Sequence, residues 1–430
     1  MSDELLQRHR EVMPAWLALY YDEPMEIVSG RGCRLTASDG RTYLDFFAGI
    51  LTNMLGYDVP EVRAAIEEQV ARGVVHTSTL YLLRGQVELA EKIARLSGIP
   101  DAKVFFTSSG TEANEAALLL ATQARRSNQV IALRNSYHGR GFATVGVTGQ
   151  RGWSPSSLSP VQVTYAQSGY RLRSSFRELP DDAFIAACVQ DLRELLVTTT
   201  SGDVACMVAE PVQGVGGFAM PPDGLFGAYQ EVLDESGILF VSDEVQTAWG
   251  RTGDHFWGYE AHGVRPHALT FAKGLGNGAA IGGVVAGAEL MDCLTANSIS
   301  TFGGNPLATA AANATLDYVL EHDLQKQAAQ VGRLLLDGLR ESVADLPAVG
   351  EVRGRGLMIG IEMVVPGGID PDAAAASAVH EATRAGGLLV GKGGLHGNCL
   401  RVAPPLTLGE ADARDGLDLL VDAIRSVTSR

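Results

Sequence analysis

The sequence predicts an α/β fold built on a mainly parallel sheet, and three observations predict it. Short apolar runs rich in β-branched and aromatic residues recur at 104–107, 130–134, 204–209, 238–242, 269–272 and 283–286. Helix-length stretches such as 112–126 and 224–235 lie between several of them. The runs are continuously apolar rather than alternating, the pattern of strands covered on both faces. In such sheets sites lie beyond the carboxyl ends of the strands, so the residues that close each run carry the interest.

The remaining segments follow in order. Residues 150–182 are rich in Ser, Pro and Arg with weak periodicity and read as a long excursion over the surface. Beyond Pro306 an Ala-rich helix is expected over 308–320, then a second over 324–339. The run GLMIGIEMV (356–364) reads as a strand, 373–385 as a helix, and 388–390 and 400–402 as short strands. The expected organisation is an N-terminal segment 1–60 packing with a small domain, a large domain over 61–318, and a smaller α/β domain over 319–430.

Composition removes several function classes. Of 430 residues, 46% are hydrophobic and 20% charged, which suits a filled core rather than a disordered chain. The longest apolar run, 279–288, stops at Glu289, far short of the roughly 18–20 residues that cross a bilayer. The opening MSDELLQRHR has charges where a secretion signal needs an apolar stretch, so a cytoplasmic chain is expected. A net charge of −16 disfavours nucleic acid and anionic membranes as partners. Arg171, Arg173 and Arg177 cluster among Ser and Gly and read as a solvated loop. Five scattered cysteines without C-x-x-C spacing argue for reduced thiols and no metal site. Glycine is in excess, 50 residues, which suits tight turns and close backbone approach to phosphate.

Three strand ends carry chemistry. In FFTSSGTEAN (105–114) an apolar run meets Ser-Ser-Gly-Thr at the start of a helix. Free N–H groups and hydroxyls there suit a phosphate, although an ordinary helix cap uses the same residues. No Gly-Lys-Ser/Thr follows, so a nucleotide P-loop is excluded. In GILFVSDEVQ (237–246), Asp243 and Glu244 close a buried run, as site residues, a helix cap or, less readily without a P-loop, a metal pair. In ALTFAKGLGNG (268–278), Lys273 closes a run and enters a glycine-rich turn. An apolar setting lowers the pKa of an amine and suits it to Schiff-base chemistry; the alternative is a lysine leaving the sheet for solvent. GLGNGA fits G-x-G-x-x-A formally but lacks the strand-then-helix context of a dinucleotide site. A phosphate cup, a strand-end acid and a strand-end lysine together describe a pyridoxal 5'-phosphate site.

At this point the chain resembles the class III (omega) aminotransferases of the fold type I pyridoxal phosphate enzymes, over residues 25–408. The motifs are SSGTEANEAA (108–117), NSYHGR (135–140), AEPVQG (209–214), DEVQTAWGRTG (243–253), FAKGLGNG (271–278) and TFGGNP (301–306). The resemblance implies a large domain with a mostly parallel seven-stranded sheet plus a smaller α/β domain. It implies that Lys273 bears the cofactor as a Schiff base and shuttles the substrate proton. Asp243 would pair with the ring nitrogen, Gln246 would contact the ring 3-oxygen, and Tyr137 and Val245 would cover the two ring faces. Ser109, Gly110 and Thr111 would hold the phosphate. Thr301 would reach it from a neighbouring subunit, making a homodimer part of the site. Glu210 would support the site, and Arg401, in CLRVAPPLT (399–407), would receive a substrate carboxylate. His138 belongs beside the cofactor or is a plain loop histidine. Glu244 and Arg251 are expected as ion-paired framework, and Trp249 as core or pocket wall.

The implied reaction moves an amino group from an amino acid or omega-amine to a small 2-oxo acid (pyruvate, glyoxylate or 2-oxoglutarate) through a pyridoxamine phosphate intermediate. A racemase, decarboxylase or phospholyase on the same scaffold is the alternative. The stretches at 253–266, 355–364 and 386–394 look closest to the alanine–glyoxylate subgroup. Two positions depart from the wider family. Val215 stands where gamma-aminobutyrate and ornithine-type members have a gating glutamate, and Gly56-Tyr57 stands where many members have Gly-His.

Overall fold

The computed structural model describes residues 2–428 and contains three sheets. Strands β1 (Ile27–Arg31), β2 (Arg34–Ala37) and β3 (Thr42–Asp45) form an antiparallel meander near the N-terminus. Seven strands form the large sheet: β4 (Ala102–Thr107), β5 (Gln129–Leu133), β6 (Gln162–Ala166), β7 (Cys206–Ala209), β8 (Leu239–Asp243), β9 (Ala268–Phe271) and β10 (Gly282–Gly287). The third sheet comprises β11 (Val349–Arg355), β12 (Met358–Met363), β14 (Gly391–Gly393) and β15 (Cys399–Val402). The short β13 (Leu388–Leu389) leaves this C-terminal region and pairs in parallel with β3.

The large sheet runs β4-β10-β9-β8-β7-β5-β6. Its neighbours pair in parallel from β9 through β6, while β10 is antiparallel to both β4 and β9. The carboxyl ends of β4, β5, β7, β8 and β9 therefore all open on one edge. Every residue of β7 and β9 is buried, which explains their uninterrupted apolar sequences. On one face the helix Gly110–Arg125 packs Ala113, Ala117, Leu118 and Ala121 against Val130, Val208, Val241 and Val284. On the other, the helices Asp181–Thr199 and Leu225–Asp234 cover Ile131, Met207 and Phe240. β10 starts with two glycines because a Cβ on either would press on backbone oxygens of Ser109 or Phe105.

The helix Pro306–Glu321, capped by Asn305 and opened by a proline at its first position, leads into the C-terminal region. There the third sheet is backed by the helices Leu324–Ser342, Ala373–Ala385 and Glu410–Thr428. Among the described residues no helix is long and apolar enough to cross a membrane.

Two expectations need correction. The stretch 150–182 is not simply a surface excursion: it supplies β6, the edge strand of the large sheet, and its Tyr165 hydroxyl bonds the Gly146 carbonyl. The arginine cluster is not all solvated either. Arg173 donates to the buried carboxylate of Glu362 at 2.8 and 3.1 Å, whereas Arg171 and Arg177 pair at the surface with Asp181 and Glu178.

Candidate active site

At the carboxyl edge of the large sheet lies a cleft of about 390 Å³. Its lining includes Ser109, Gly110, Thr111, Tyr137, His138, Glu210, Asp243, Val245, Gln246 and Lys273. Ten of the twelve residues expected at the site thus share one space.

The phosphate end is built by the turn from β4 into the helix Gly110–Arg125. Ser109 caps that helix, its hydroxyl accepting from Glu112 N at 3.2 Å. In the first turn the Gly110 and Thr111 N–H groups have no carbonyl partner within the helix, and both residues line the cleft at the helix's positive end. The acid in that turn, Glu112, is drawn aside by Ser108 N at 2.9 Å and the Ser300 hydroxyl at 3.2 Å. Glycine suits position 110, because a Cβ there would come within 3.0–3.1 Å of both Val245 methyls and press on them.

Asp243 closes β8 and is buried. Its Oδ1 accepts from Val245 N at 3.1 Å, and its Oδ2 accepts from Asn114 Nδ2 at 2.7 Å. His138 Nδ1 lies 2.7 Å from the same Oδ2. Burial works against an imidazolium at His138, but the hydrogen bond and charge of Asp243, helped by Glu210, hold its pKa above the ordinary value. Asn114 is itself fixed: its Oδ1 accepts from the Thr270 hydroxyl at 2.7 Å, and its amide also donates to the His138 carbonyl. His138 is therefore not a plain loop residue; it backs the Asp243 carboxylate.

Glu210 follows β7 and ties two loops together, accepting from Tyr137 N at 2.8 Å and Gly214 N at 2.9 Å. Burial and the nearby Asp243 charge push its pKa up. Tyr137 stands at the mouth with its ring edge-on to Trp153, centroids 5.5 Å apart.

Lys273 sits just after β9 in the left-handed region, φ +43°. Burial of its amine lowers the pKa, against the pull of Asp243 and Glu210 and with a push from Arg401. The sequence argument for a neutral amine rested on the same desolvation.

Arg401 and Thr301 do not line this cleft. Arg401, on β15, donates to the carbonyls of Gly214 and Lys392, both at 3.1 Å. Its guanidinium lies over the rings of Phe47 at 4.8 Å and Phe218 at 5.6 Å. It is buried, makes no ion pair among the described residues, and its Nε has no partner. Thr301 is exposed, in the loop before the helix Pro306–Glu321. Val215 is buried next to this region, and its carbonyl accepts from Gly394 N at 2.9 Å.

Glu244 and Arg251 are framework, but not through ion pairs. Glu244 accepts from the Ser242 and Thr247 hydroxyls and from Gly258 N and Tyr259 N, and burial pushes its pKa up to about 7. Arg251 donates to the carbonyls of Leu357 and Pro404, and burial pulls its pKa down to about 9. Trp249 is core, packed against Trp257 and Phe271.

Sequence reasoning missed Asn114, Thr270 and Thr52, of which Asn114 and Thr52 line the cleft. The signal for Asn114 was available: an amide on the buried, alanine-rich face of a helix needs a polar partner.

The residues present fit pyridoxal 5'-phosphate. Two buried polar atoms beside the cleft, His138 Nε2 and Gln246 Oε1, have no partner in the protein. With the open N–H groups of the cup, the buried acid and the desolvated amine, they form the donor and acceptor set that a phosphorylated pyridine aldehyde needs.

Comparisons with known proteins agree. The family model for aminotransferase class-III matches residues 20–424. The chain is 38% identical over 427 residues to alanine–glyoxylate aminotransferase 2 homolog 2 of Arabidopsis thaliana, covering 98% of this chain and 87% of that one. It is 32% identical over 441 residues to the alanine/serine racemase of Pyrococcus horikoshii, covering 99% and 90%. The solved structure of an (S)-enantioselective omega-transaminase from Thermomicrobium roseum superposes with a TM-score of 0.90 at 31% identity, covering 100% and 98%. With the family match running nearly end to end and this fold around the cleft, the chain belongs to the class-III aminotransferases, enzymes that depend on pyridoxal 5'-phosphate.

Proposed function

We propose that the enzyme transfers an amino group from an amino acid or omega-amine to a small 2-oxo acid such as pyruvate, glyoxylate or 2-oxoglutarate. The observation that carries this reading is the charge arrangement on Lys273. Its buried amine shares one cleft with Asp243, while Arg401, a guanidinium with no acidic partner among the described residues, stands on the third sheet.

The cofactor, when bound, supplies an electron sink for negative charge developing on the substrate carbon. Ser109, Gly110 and Thr111 bind its phosphate. Asp243, backed by His138 and Asn114, would keep a proton on the ring nitrogen, and Gln246, whose Oε1 is buried without a partner, would meet the 3-oxygen. Tyr137 and Val245 would cover its two faces. Lys273 would hold the cofactor's aldehyde end through its desolvated amine and would carry the proton that leaves the substrate carbon. Arg401 orients the substrate carboxylate through paired hydrogen bonds. No acid among the described residues pairs with Arg401, and Val215 occupies the gating position, so a substrate carboxylate would meet no internal competitor for this guanidinium.

The proposal includes a homodimer in which the partner's Thr301 completes the phosphate site, a cytoplasmic location, and the three-part division at residues 60 and 318. Leu80, Tyr81, Leu82 and Phe302 are large apolar side chains left exposed, which a partner subunit would cover. Substitution Lys273→Ala tests the core of the reading. The variant should bind cofactor without the visible band of a lysine-linked aldehyde and should not transaminate; normal turnover would refute it.

The racemase relative favours a second reading, in which the same residues return the proton to the same carbon. An amino donor alone separates the two. Stoichiometric conversion of bound cofactor to its amino form supports transfer, and epimerised donor with unchanged cofactor supports racemisation.

A further inference from the structure

Lys273 is held in a left-handed conformation that L-residues avoid, so something outside its own turn must keep it there. Four residues on, Asn277 is also left-handed, φ +43°. Its side chain leaves the loop: Oδ1 accepts from Leu55 N at 2.8 Å and Nδ2 donates to the Gly56 carbonyl at 3.1 Å. Between them, Gly274 lies so close to the same segment that a Cβ would meet Met54 Cβ and Sδ at 2.9 Å.

That segment is itself clasped. Asp45, at the end of β3, accepts from Phe47 N at 2.8 Å and Ala48 N at 3.0 Å, and its other oxygen accepts from the Tyr57 hydroxyl at 2.6 Å. The clasp encloses a left-handed turn, Ala48, Gly49, Ile50 and Leu51, all with φ between +49° and +67°. Such a turn, with a β-branched residue in it, persists only if its surroundings impose it. Thr52, the next residue, lines the cleft.

We propose that Asn277 is the positioning residue of Lys273, pinning the lysine turn to residues 55–56 of the segment that Asp45 and Tyr57 clasp shut. The inference rests on the role given to Lys273 above. It adds that the lysine's aim comes from the N-terminal segment as well as from the large sheet that bears it. The Gly56-Tyr57 departure then has a function, since the tyrosine hydroxyl closes the clasp.

The test is Asn277→Gly, which keeps the left-handed conformation available while deleting both side-chain bonds. Asn277→Asp keeps the acceptor for Leu55 N and deletes the donor. Apoprotein is mixed with pyridoxal 5'-phosphate, and the visible band, its circular dichroism per bound cofactor, and the steady-state constants are recorded. In Asn277→Gly, cofactor capture and kcat should fall about tenfold to hundredfold, KM should stay within about twofold, and the visible ellipticity should drop. Asn277→Asp should lie between, and Tyr57→Phe should shift the same quantities less. Wild-type capture rate and ellipticity in Asn277→Gly overturn the inference while leaving the Lys273→Ala result, and so the assigned function, untouched. If Asn277→Gly does not fold, Asn277→Asp decides by the same readouts, wild-type values again overturning the inference.

Discussion

Asp243 Oδ2 lies 2.7 Å from His138 Nδ1, and both side chains are buried. Because the His138 pKa is raised in the folded protein, the pair's contribution to stability is full below about pH 6.5, the free imidazole value, and fades as pH rises through the higher folded value. In cofactor-free protein, His138→Asn should lower the unfolding free energy by roughly 1.5–3 kcal/mol at pH 6 and by less at pH 9. Urea denaturation at the two pH values measures the gap; a gap that widens with pH contradicts the pairing.

Arg401 presents a guanidinium whose fixed partners are two backbone carbonyls. Arg401→Ala should raise KM for 2-oxo acids about 10- to 100-fold, the worth of a charge-assisted pair, and should spare amine donors that lack a carboxylate. Arg401→Lys should not restore the loss, since an ammonium cannot reproduce the planar fork. Parallel kinetics with a carboxylate-bearing and a carboxylate-free donor distinguish this from general damage.

Glu362 is the hub of a buried network joining Tyr170 and Arg173 to Arg353, Asn398 and Cys399. Burial alone would raise its pKa, but the Arg353 charge and these hydrogen bonds bring it down to about 2. Its stabilisation is therefore present above the ordinary carboxyl value and lost as pH falls from about 4.5 towards 2. Glu362→Gln should cost roughly 1.5–3 kcal/mol at pH 7, because Arg173 and Arg353 both lose a buried charged acceptor while Arg353 keeps Glu351 at 2.6 Å. The difference from wild type should close over that acid window in a pH series of thermal melts.

Gly214 lies against Gln246, and a Cβ there would land inside the Gln246 side chain. Gly214→Ala should push that flexible amide aside with little change in melting temperature. The visible band of the bound cofactor should shift and its affinity should weaken. Absorption spectra and a cofactor titration on the same sample separate the two effects.

The parts of the site that were legible are those that end an apolar strand. Asp243 and Lys273 stand out because a charged side chain closing a buried run has no reason to be there except chemistry or capping. The cup at Ser109–Thr111 was readable as a helix start. Arg401 was reachable only through the family motif: nothing in CLRVAPPLT announces an arginine enclosed by Phe47 and Phe218, which lie far away in sequence. β6 escaped notice because an edge strand needs fewer apolar residues, and only one of its five, Ala166, is buried. The left-handed turn at 48–51 was invisible for a further reason: Ile50 and Leu51 ordinarily forbid it, and only the tertiary clasp at Asp45 and Tyr57 overrides that preference.

β3 is zipped to β13, with Leu44 opposite Leu388. During translation the early strand emerges hundreds of residues ahead of its neighbour and has to wait, one edge bare, until residues 388–389 follow it out of the ribosome. The turn that steadies the lysine hangs from that strand, so catalytic competence is among the last properties the nascent chain acquires.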